Sequence, residues 1–81
     1  MFDSKGGFIF LYFTKNTRYY ALEYKRDLFD IVVQKHYGRI GTQLGQNRTH
    51  PFTEESEAMA FFESECQRRL KRGYVLCDAV T

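Results

Sequence analysis

The segment from His36 to Asn47 gathers, within a few residues, the side chains that hold an anion bearing a ring or a sugar. Tyr37 supplies a flat aromatic face, and Arg39 supplies a planar cation with five hydrogen-bond donors. Glycines in the same segment permit backbone turns and close approaches that side chains would block. These glycines are Gly38, Gly41 and Gly45. A nucleic-acid end is the ligand that this combination fits best.

The same segment has two other interpretations. Its glycine spacing, G-R-I-G-x-x-x-G, departs from the dinucleotide-binding fingerprint and opens no helix, so a nucleotide-cofactor site is set aside. A purely structural role stays open, in which the Tyr37 ring belongs to the core. Arg39 would then pair with Asp27, with Asp30 or with a glutamate of a helix.

The charges are distributed unevenly along the chain. Net charge is only +2, but positions 15 to 50 carry seven Lys and Arg against three acids, a local net charge of +4. Positions 53 to 65 carry five glutamates and no Lys or Arg. This asymmetry predicts a one-sided field, although solvated charges on opposite sides of a small protein explain it equally well. Candidate phosphate contacts are Lys15, Lys35 and Arg48, which would otherwise be edge-strand charges that oppose aggregation.

Length and composition narrow the kinds of protein that this chain can be. The 81 residues predict a single domain over positions 1–81, and a hydrophobic content of 43% with 17% aromatic residues predicts a folded, ring-rich core. Cys66 and Cys77 have neither disulfide-framework nor zinc-ligand spacing, which favours an intracellular location and predicts no metal site or other cofactor. No apolar run approaches the ~18 residues of a membrane span.

Catalytic residues are sparse. His36 and His50 would be the acid–base pair of a small nuclease, but lone histidines beside strands are more often structural. No carboxylate cluster for a metal and no Ser-His-Asp arrangement accompanies them. The sequence therefore predicts a protein that is not an enzyme.

Hydrophobic patterning predicts several strands. Phe8 to Thr14 is a continuous apolar run, expected to be a strand buried on both faces or nearly so. Arg18 to Lys25 alternates, with Tyr20, Leu22 and Tyr24 on one face, and with Phe29 to Tyr37 these runs predict an antiparallel meander. Ile40, Thr42 and Leu44 would line a short kinked strand. Two further strands are expected at Gln46 to Phe52, with Pro51 at a sheet edge, and at Tyr74 to Val80.

One helix is expected between the last two strands. Thr53 is the predicted N-cap, followed by Glu54 and Glu55 in the first turn, and Gly73 is the predicted stop. The apolar positions that follow the helical period are Ala58, Phe61, Phe62, Cys66 and Leu70. The sequence therefore predicts an α+β fold, in which one long helix packs across an antiparallel sheet of about four to five strands.

Several spaced motifs occur in a recognisable order. They are Arg18-Tyr19-Tyr20-x-Leu22, Tyr37-Gly38-Arg39-Ile40-Gly41-Thr42, Gly45-Gln46-Asn47-Arg48, Phe52, Lys71-Arg72-Gly73 and Tyr74. This set resembles the WGR domain, named for a Trp-Gly-Arg tripeptide and found in DNA-dependent poly(ADP-ribose) polymerases and in many bacterial proteins. The resemblance covers roughly residues 16 to 75.

The resemblance implies an antiparallel sheet crossed by one helix and a role in DNA binding. In the polymerases the domain contacts the end of a broken strand and relays that contact to neighbouring domains. Tyr37 would take the place of the tryptophan beside the terminal nucleotide's sugar, and Arg39 that of the arginine that bridges to DNA and a partner domain. Arg48 matches the basic residue after the second glycine turn. The chain departs from the pattern in having Tyr for Trp and no catalytic, zinc-finger or helical regulatory domain within its 81 residues.

Two functions follow from these observations. The first is a non-catalytic nucleic-acid-binding module, for DNA rather than RNA and for strand ends or nicks, that uses Tyr37, Gly38 and Arg39 with the cations named above. The alternative is a protein-interaction adaptor that uses the same turn or an open sheet edge. The expected state is a monomer or a weak homodimer, the dimer forming through an uncovered edge strand at Phe8 to Thr14.

Overall fold

The computed structural model describes residues 7–43 and 45–81, which form one five-stranded sheet and one helix. The elements are β1 Gly7–Lys15, β2 Arg18–Arg26, β3 Ile31–Arg39, β4 Gly45–Phe52, α1 Glu55–Lys71 and β5 Val75–Val80. All neighbouring strands pair antiparallel in the order β4-β3-β2-β1-β5. The predicted α+β architecture, the meander and the terminal strand are confirmed.

The core lies between one face of the sheet and α1. Tyr20, Leu22 and Tyr24 share one face of β2, as predicted; this face is the one turned toward the helix, and all three residues are buried. Phe13 on β1 and Val33 on β3 are fully buried in the same layer. Ala58 and Phe62 of α1 close the core from the other side.

Strand β1 is less buried than its sequence predicts. Because α1 covers only one face of the sheet, the alternate residues of β1 lie on the open face. Phe13 is the buried residue of this strand, whereas Phe8 is 40% exposed. A continuous apolar run therefore does not distinguish a strand covered on both faces from one that displays aromatic rings on an open face.

The predicted sheet edges are partly wrong. β5 returns beside β1, so β1 is an interior strand and the edges are β4 and β5. Pro51 does lie on an edge strand, as predicted, where its missing N–H removes no ladder bond from a central strand. The chain turns after β3 instead of continuing as a kinked strand: Arg39 accepts hydrogen bonds from Thr42, and Gly41 has φ +87°. Leu44 lies outside the described residues.

The helix begins and ends by different means. Its N-cap is Glu54 and not Thr53, and no side chain caps it; instead Glu55 accepts a hydrogen bond from Tyr24 and pairs with Arg26. At the other end Tyr74 N donates to Arg69 O and Gly73 N donates to Leu70 O, with Gly73 at φ +91°. This is a Schellman motif, the stop that the glycine predicts.

The sheet has two distinct ends. At one end, here called the basic end, lie the β1–β2 turn, the C-terminus of β3 and the C-terminus of α1. At the other, here called the tip end, lie the β2–β3 turn and the N-terminus of α1. Within residues 7–43 and 45–81, no helix is both long enough and apolar enough to span a bilayer.

Candidate nucleic-acid interface

A pocket of about 510 Å³ opens at the basic end of the sheet. Three segments that are distant in sequence build it: the β1–β2 hairpin, the end of β3 and the C-terminus of α1. Its lining combines five cations with three tyrosines and no carboxylate. The residues are Lys15, Arg18, Tyr19, Tyr37, Gly38, Arg39, Arg69, Arg72 and Tyr74.

The pocket cations repel one another without local compensation. Arg18 and Arg39 are direct cross-strand partners in the β2–β3 ladder, where like charges are destabilising. None of the five pocket cations forms an ion pair with a carboxylate in residues 7–43 or 45–81. An anionic ligand would relieve this repulsion, which is the electrostatic signature of an anion site.

Arg69 is held in place by two aromatic rings. Its guanidinium carbon lies 4.4 Å from the centroid of the Tyr20 ring and 5.5 Å from that of Tyr74. Cation–π contacts with two rings restrain the guanidinium. Its Nε is buried and has no hydrogen-bond partner among the described residues. Arg69 therefore lies preorganised in the pocket wall with donor capacity that the fold does not use.

A buried carboxylate anchors the ring beneath Arg69. Tyr20 Oη donates a hydrogen bond of 3.0 Å to Glu65 Oε1, and Glu65 is only 4% exposed. Lys35 and Arg68 neutralise Glu65, with N–O distances of 3.6 and 3.4 Å. Burial, and then the negative charge of Glu65, raises the pKa of the Tyr20 phenol well above its ordinary value. The phenol therefore stays protonated and keeps its ring fixed.

Tyr37 belongs both to the edge of the core and to the pocket. Its ring stacks on Tyr20, with centroids 5.8 Å apart and planes inclined by 17°, and its hydroxyl donates to Gln46. The ring remains partly exposed and lines the pocket. Arg39 is exposed, and Asp27 and Asp30, its alternative ion-pair partners, lie at the tip end. The purely structural interpretation of these two residues thus accounts for Tyr37 in part and not for Arg39.

One hydrogen bond joins two walls of the pocket, and one glycine leaves room for a tyrosine that lines it. Lys15 Nζ donates to the carbonyl of Arg72, which joins the β1–β2 hairpin to the last turn of the helix. Gly45 lies against Tyr19, and a Cβ at this position would come within 2.5 Å of the Tyr19 hydroxyl. Glycine at position 45 therefore leaves the room that the Tyr19 side chain occupies.

The pocket brings together four of the six predicted site residues, namely Lys15, Tyr37, Gly38 and Arg39. Lys35 faces the helix and pairs with Glu65, and Arg48 is an exposed residue of β4 that does not line the pocket. Five lining residues were not among the predicted site residues: Arg18, Tyr19, Arg69, Arg72 and Tyr74. Four of these, all except Arg69, belong to the spaced motifs of the sequence, but only the crossing of α1 places Arg69 and Arg72 beside the strand residues.

The arrangement is suited to holding an anion, and the two histidines lie away from it and from each other. His36 lies on the open face, where it contacts Asn47 and Glu23, whereas His50 packs against Phe61 beneath the helix. The two histidines therefore do not form a pair. No group of three or more His, Cys, Asp or Glu side chains within the described ranges is placed to hold a metal ion.

Comparison with known proteins places the chain in a family. The family profile described as "WGR domain" matches residues 9–79, which is most of the chain. The chain is also 41% identical over 58 residues to a protein of Sinorhizobium fredii (strain NBRC 101917 / NGR234) named "Uncharacterized protein y4dW". That alignment covers 70% of this chain but 28% of the relative, so the chain spans well under half of the relative's length.

No solved structure matches the chain at a significant level. WGR domains are binding domains, generally for nucleic acid, and not catalytic ones. Since the profile spans almost every element of the fold, the chain belongs to the WGR family.

Proposed function

We propose that this member of the WGR family binds DNA at strand ends or nicks through the pocket at its basic end. The observation that carries the proposal is the pocket itself: five cations and three tyrosine rings with no carboxylate among them. Cations hold phosphates, and exposed ring faces receive sugars and unstacked bases, which a strand end offers and a continuous duplex does not.

The division of labour follows from the contacts. Arg18, Arg39 and Arg72 lie at the rim as exposed cations that attract and position the backbone. Arg69, restrained by its contacts with two rings, carries a planar fork of the kind that matches a phosphate. Tyr37, partly exposed and stacked on Tyr20, offers a ring edge and a hydroxyl to the terminal nucleotide.

The proposal is tested with a matched pair of variants, Arg39→Ala and Arg48→Ala. Both remove one exposed arginine, but only Arg39 lines the pocket. We expect R39A to weaken binding to a nicked duplex by about 1–3 kcal/mol and to flatten the dependence of log K on log salt by about 0.9. We expect R48A to change the affinity much less. Fluorescence anisotropy over a range of salt concentrations measures both effects.

A second DNA probe distinguishes binding at a strand end or nick from binding to continuous duplex. A duplex closed at both ends by hairpin loops offers phosphates but no terminus, so it should bind more weakly than a nicked duplex of equal length. Equal affinity for the two probes would reduce the proposal to backbone binding. Equal losses in R39A and R48A would contradict the assignment of the pocket.

A protein-interaction function is supported by one specific observation, the exposure of edge strand β4. Its outer side is an unfilled sheet edge within the described residues, and six of its eight residues are exposed. An extended peptide could add to such an edge as a further strand. A pulldown from nuclease-treated lysate distinguishes this function, because partners held only through nucleic acid would be lost.

A further inference from the structure

The β2–β3 turn at the tip end displays two large apolar side chains. Leu28 is 71% exposed and Phe29 is 89% exposed, more than any other large hydrophobic residue among those described. Displaying two adjacent side chains of this kind to water is unfavourable relative to burying them. The fold of the chain does not require their exposure, because polar residues would serve in a turn equally well.

This turn is built to hold its conformation. Asp27 Oδ1 accepts hydrogen bonds from the backbone N–H groups of Phe29, at 2.9 Å, and Asp30, at 2.8 Å. Asp27 N also donates to the carbonyl of Asp30 at 3.0 Å. These backbone hydrogen bonds lower the pKa of the Asp27 carboxyl, which stays ionised. Leu28 and Phe29 therefore project from a closed, ordered turn, here called the tip.

A cleft of about 350 Å³ lies directly beside the tip, on the open side of the sheet. Phe8, which is 40% exposed, and Val32 give it an apolar wall. Its margin carries two cations, Lys25 and Arg26, beside the two acids of the tip itself. The cleft thus offers an apolar surface with a margin that carries charges of both signs. The tip offers apolar side chains flanked by two acids, Asp27 and Asp30.

We propose that two copies of this chain associate by exchanging tips, so that Leu28 and Phe29 of each copy enter the cleft of the other. Projection and recess lie side by side on one surface, which is the self-complementary arrangement that a two-fold interface requires. The charges are compatible with a two-fold pairing, because each copy presents both the acids Asp27 and Asp30 and the cations Lys25 and Arg26 at this surface. The association is independent of the proposed function, since the DNA pocket is at the other end of the sheet.

The association is tested by sedimentation velocity over micromolar to millimolar protein, with variants Leu28→Ala and Phe29→Ala. Both residues are exposed, so the variants should fold normally, which circular dichroism checks. Leu70→Ala is the matched control, because Leu70 is 45% exposed on α1 and lies outside tip and cleft. We expect the parent chain and L70A to dimerise alike, and L28A and F29A to dimerise at least about tenfold more weakly.

NMR spectra recorded over a dilution series identify the residues that form the dimer contact. The amide signals of residues 27–30 and those of Phe8 and Val32 should shift together as the dimer dissociates. A parent chain that stays monomeric at millimolar concentration would overturn the proposal and leave the tip for a different protein partner. A dimer that forms equally well in F29A, or whose shifts fall elsewhere, would overturn it as well.

Discussion

The pairing of Arg69 with two tyrosine rings has consequences that can be measured at one residue. A helix C-terminus favours any cation, so charge alone would be met by lysine. Close contact with the rings of Tyr20 and Tyr74 favours the planar guanidinium over a compact, strongly hydrated ammonium. The choice of arginine at this position is therefore informative about the shape of the ligand as well as about its charge.

Replacing Arg69 with lysine separates shape from charge. R69K keeps the positive charge but loses the planar fork and its contacts with the two rings, so we expect DNA binding to weaken by about 1–2 kcal/mol. Anisotropy with the nicked duplex measures this loss. Arg68→Lys is the control, because Arg68 is on the same turn but pairs with Glu65 outside the pocket. Wild-type affinity in R69K would show that Arg69 acts only as a charge.

The hydrogen bond between Tyr20 and Glu65 should contribute to the free energy of unfolding. Tyr20→Phe keeps the ring but removes a hydrogen bond to a buried carboxylate, at an expected cost of about 1–3 kcal/mol near neutral pH. The Tyr20 pKa is raised in the folded state, so the phenol stabilises the fold below its unfolded pKa of about 10. That contribution is lost as the pH rises further, because the unfolded phenol then ionises more readily than the folded one.

Urea titrations from neutral pH to about pH 11 test this prediction. The difference in unfolding free energy between the parent chain and Y20F should be constant up to about pH 10 and should shrink above it. A difference that stays constant to the highest pH would show that the folded phenol is not buried against a carboxylate.

At the scale of the elements, Gly73 links helix stability to the pocket. Its φ of +91° ends α1 and directs Tyr74 and the Arg72 carbonyl toward Lys15. A Cβ at this position would meet Lys15 only at ordinary contact distance, 3.6 Å, so crowding is not the reason for glycine. The reason is the left-handed backbone conformation, which costs other residues free energy.

Gly73→Ala should therefore destabilise the chain by about 1–2 kcal/mol and weaken DNA binding by shifting Lys15 and Arg72. Gly73→Asn is the matched comparison, because asparagine tolerates this conformation better, and it should lose less of both properties. Urea denaturation and anisotropy measure the two effects. A G73A variant with parent-like stability would contradict the proposed cause.

The elements could be predicted from sequence wherever a single periodicity decides them. Alternation in β2 correctly placed Tyr20 and Leu22 on a common face, which the structure shows to be the face that α1 covers. The place of β5 beside β1 could not be predicted, since it depends on how far α1 crosses the sheet. The apolar stripe of α1 also failed at Leu70, which is 45% exposed, while Glu65 on the same helix is buried. Apolar patterning cannot anticipate a buried acid that Tyr20 and Lys35 satisfy.

Sequence could predict only those pocket residues that lie close together in one segment of the chain. Tyr37 and Arg39 are adjacent to glycines in sequence, and the structure brings both to the pocket. Lys35, two residues away, resembles them as a basic strand residue but points under the helix toward Glu65. Arg69 joins the pocket because α1 ends above Tyr20, and no local pattern encodes that crossing.

At the scale of the whole molecule, the charges and apolar surfaces are separated along the sheet. The basic end holds the pocket, and the tip end holds Leu28, Phe29 and the acids around them. A field of this form orients an approaching polyanion toward the pocket and away from the tip. The small net charge of +2 therefore understates how the chain attracts nucleic acid.

Chemical-shift mapping of the whole chain with a short nicked duplex shows which residues contact DNA. We expect perturbed amides in three segments at once, residues 15–19, 37–39 and 69–74, because these together line the pocket. The amides of the tip, residues 27–30, should remain unchanged in a sample kept below the concentration at which copies associate. Perturbations confined to β4 around Arg48, or no saturable perturbation at all, would contradict the claim that this pocket holds DNA.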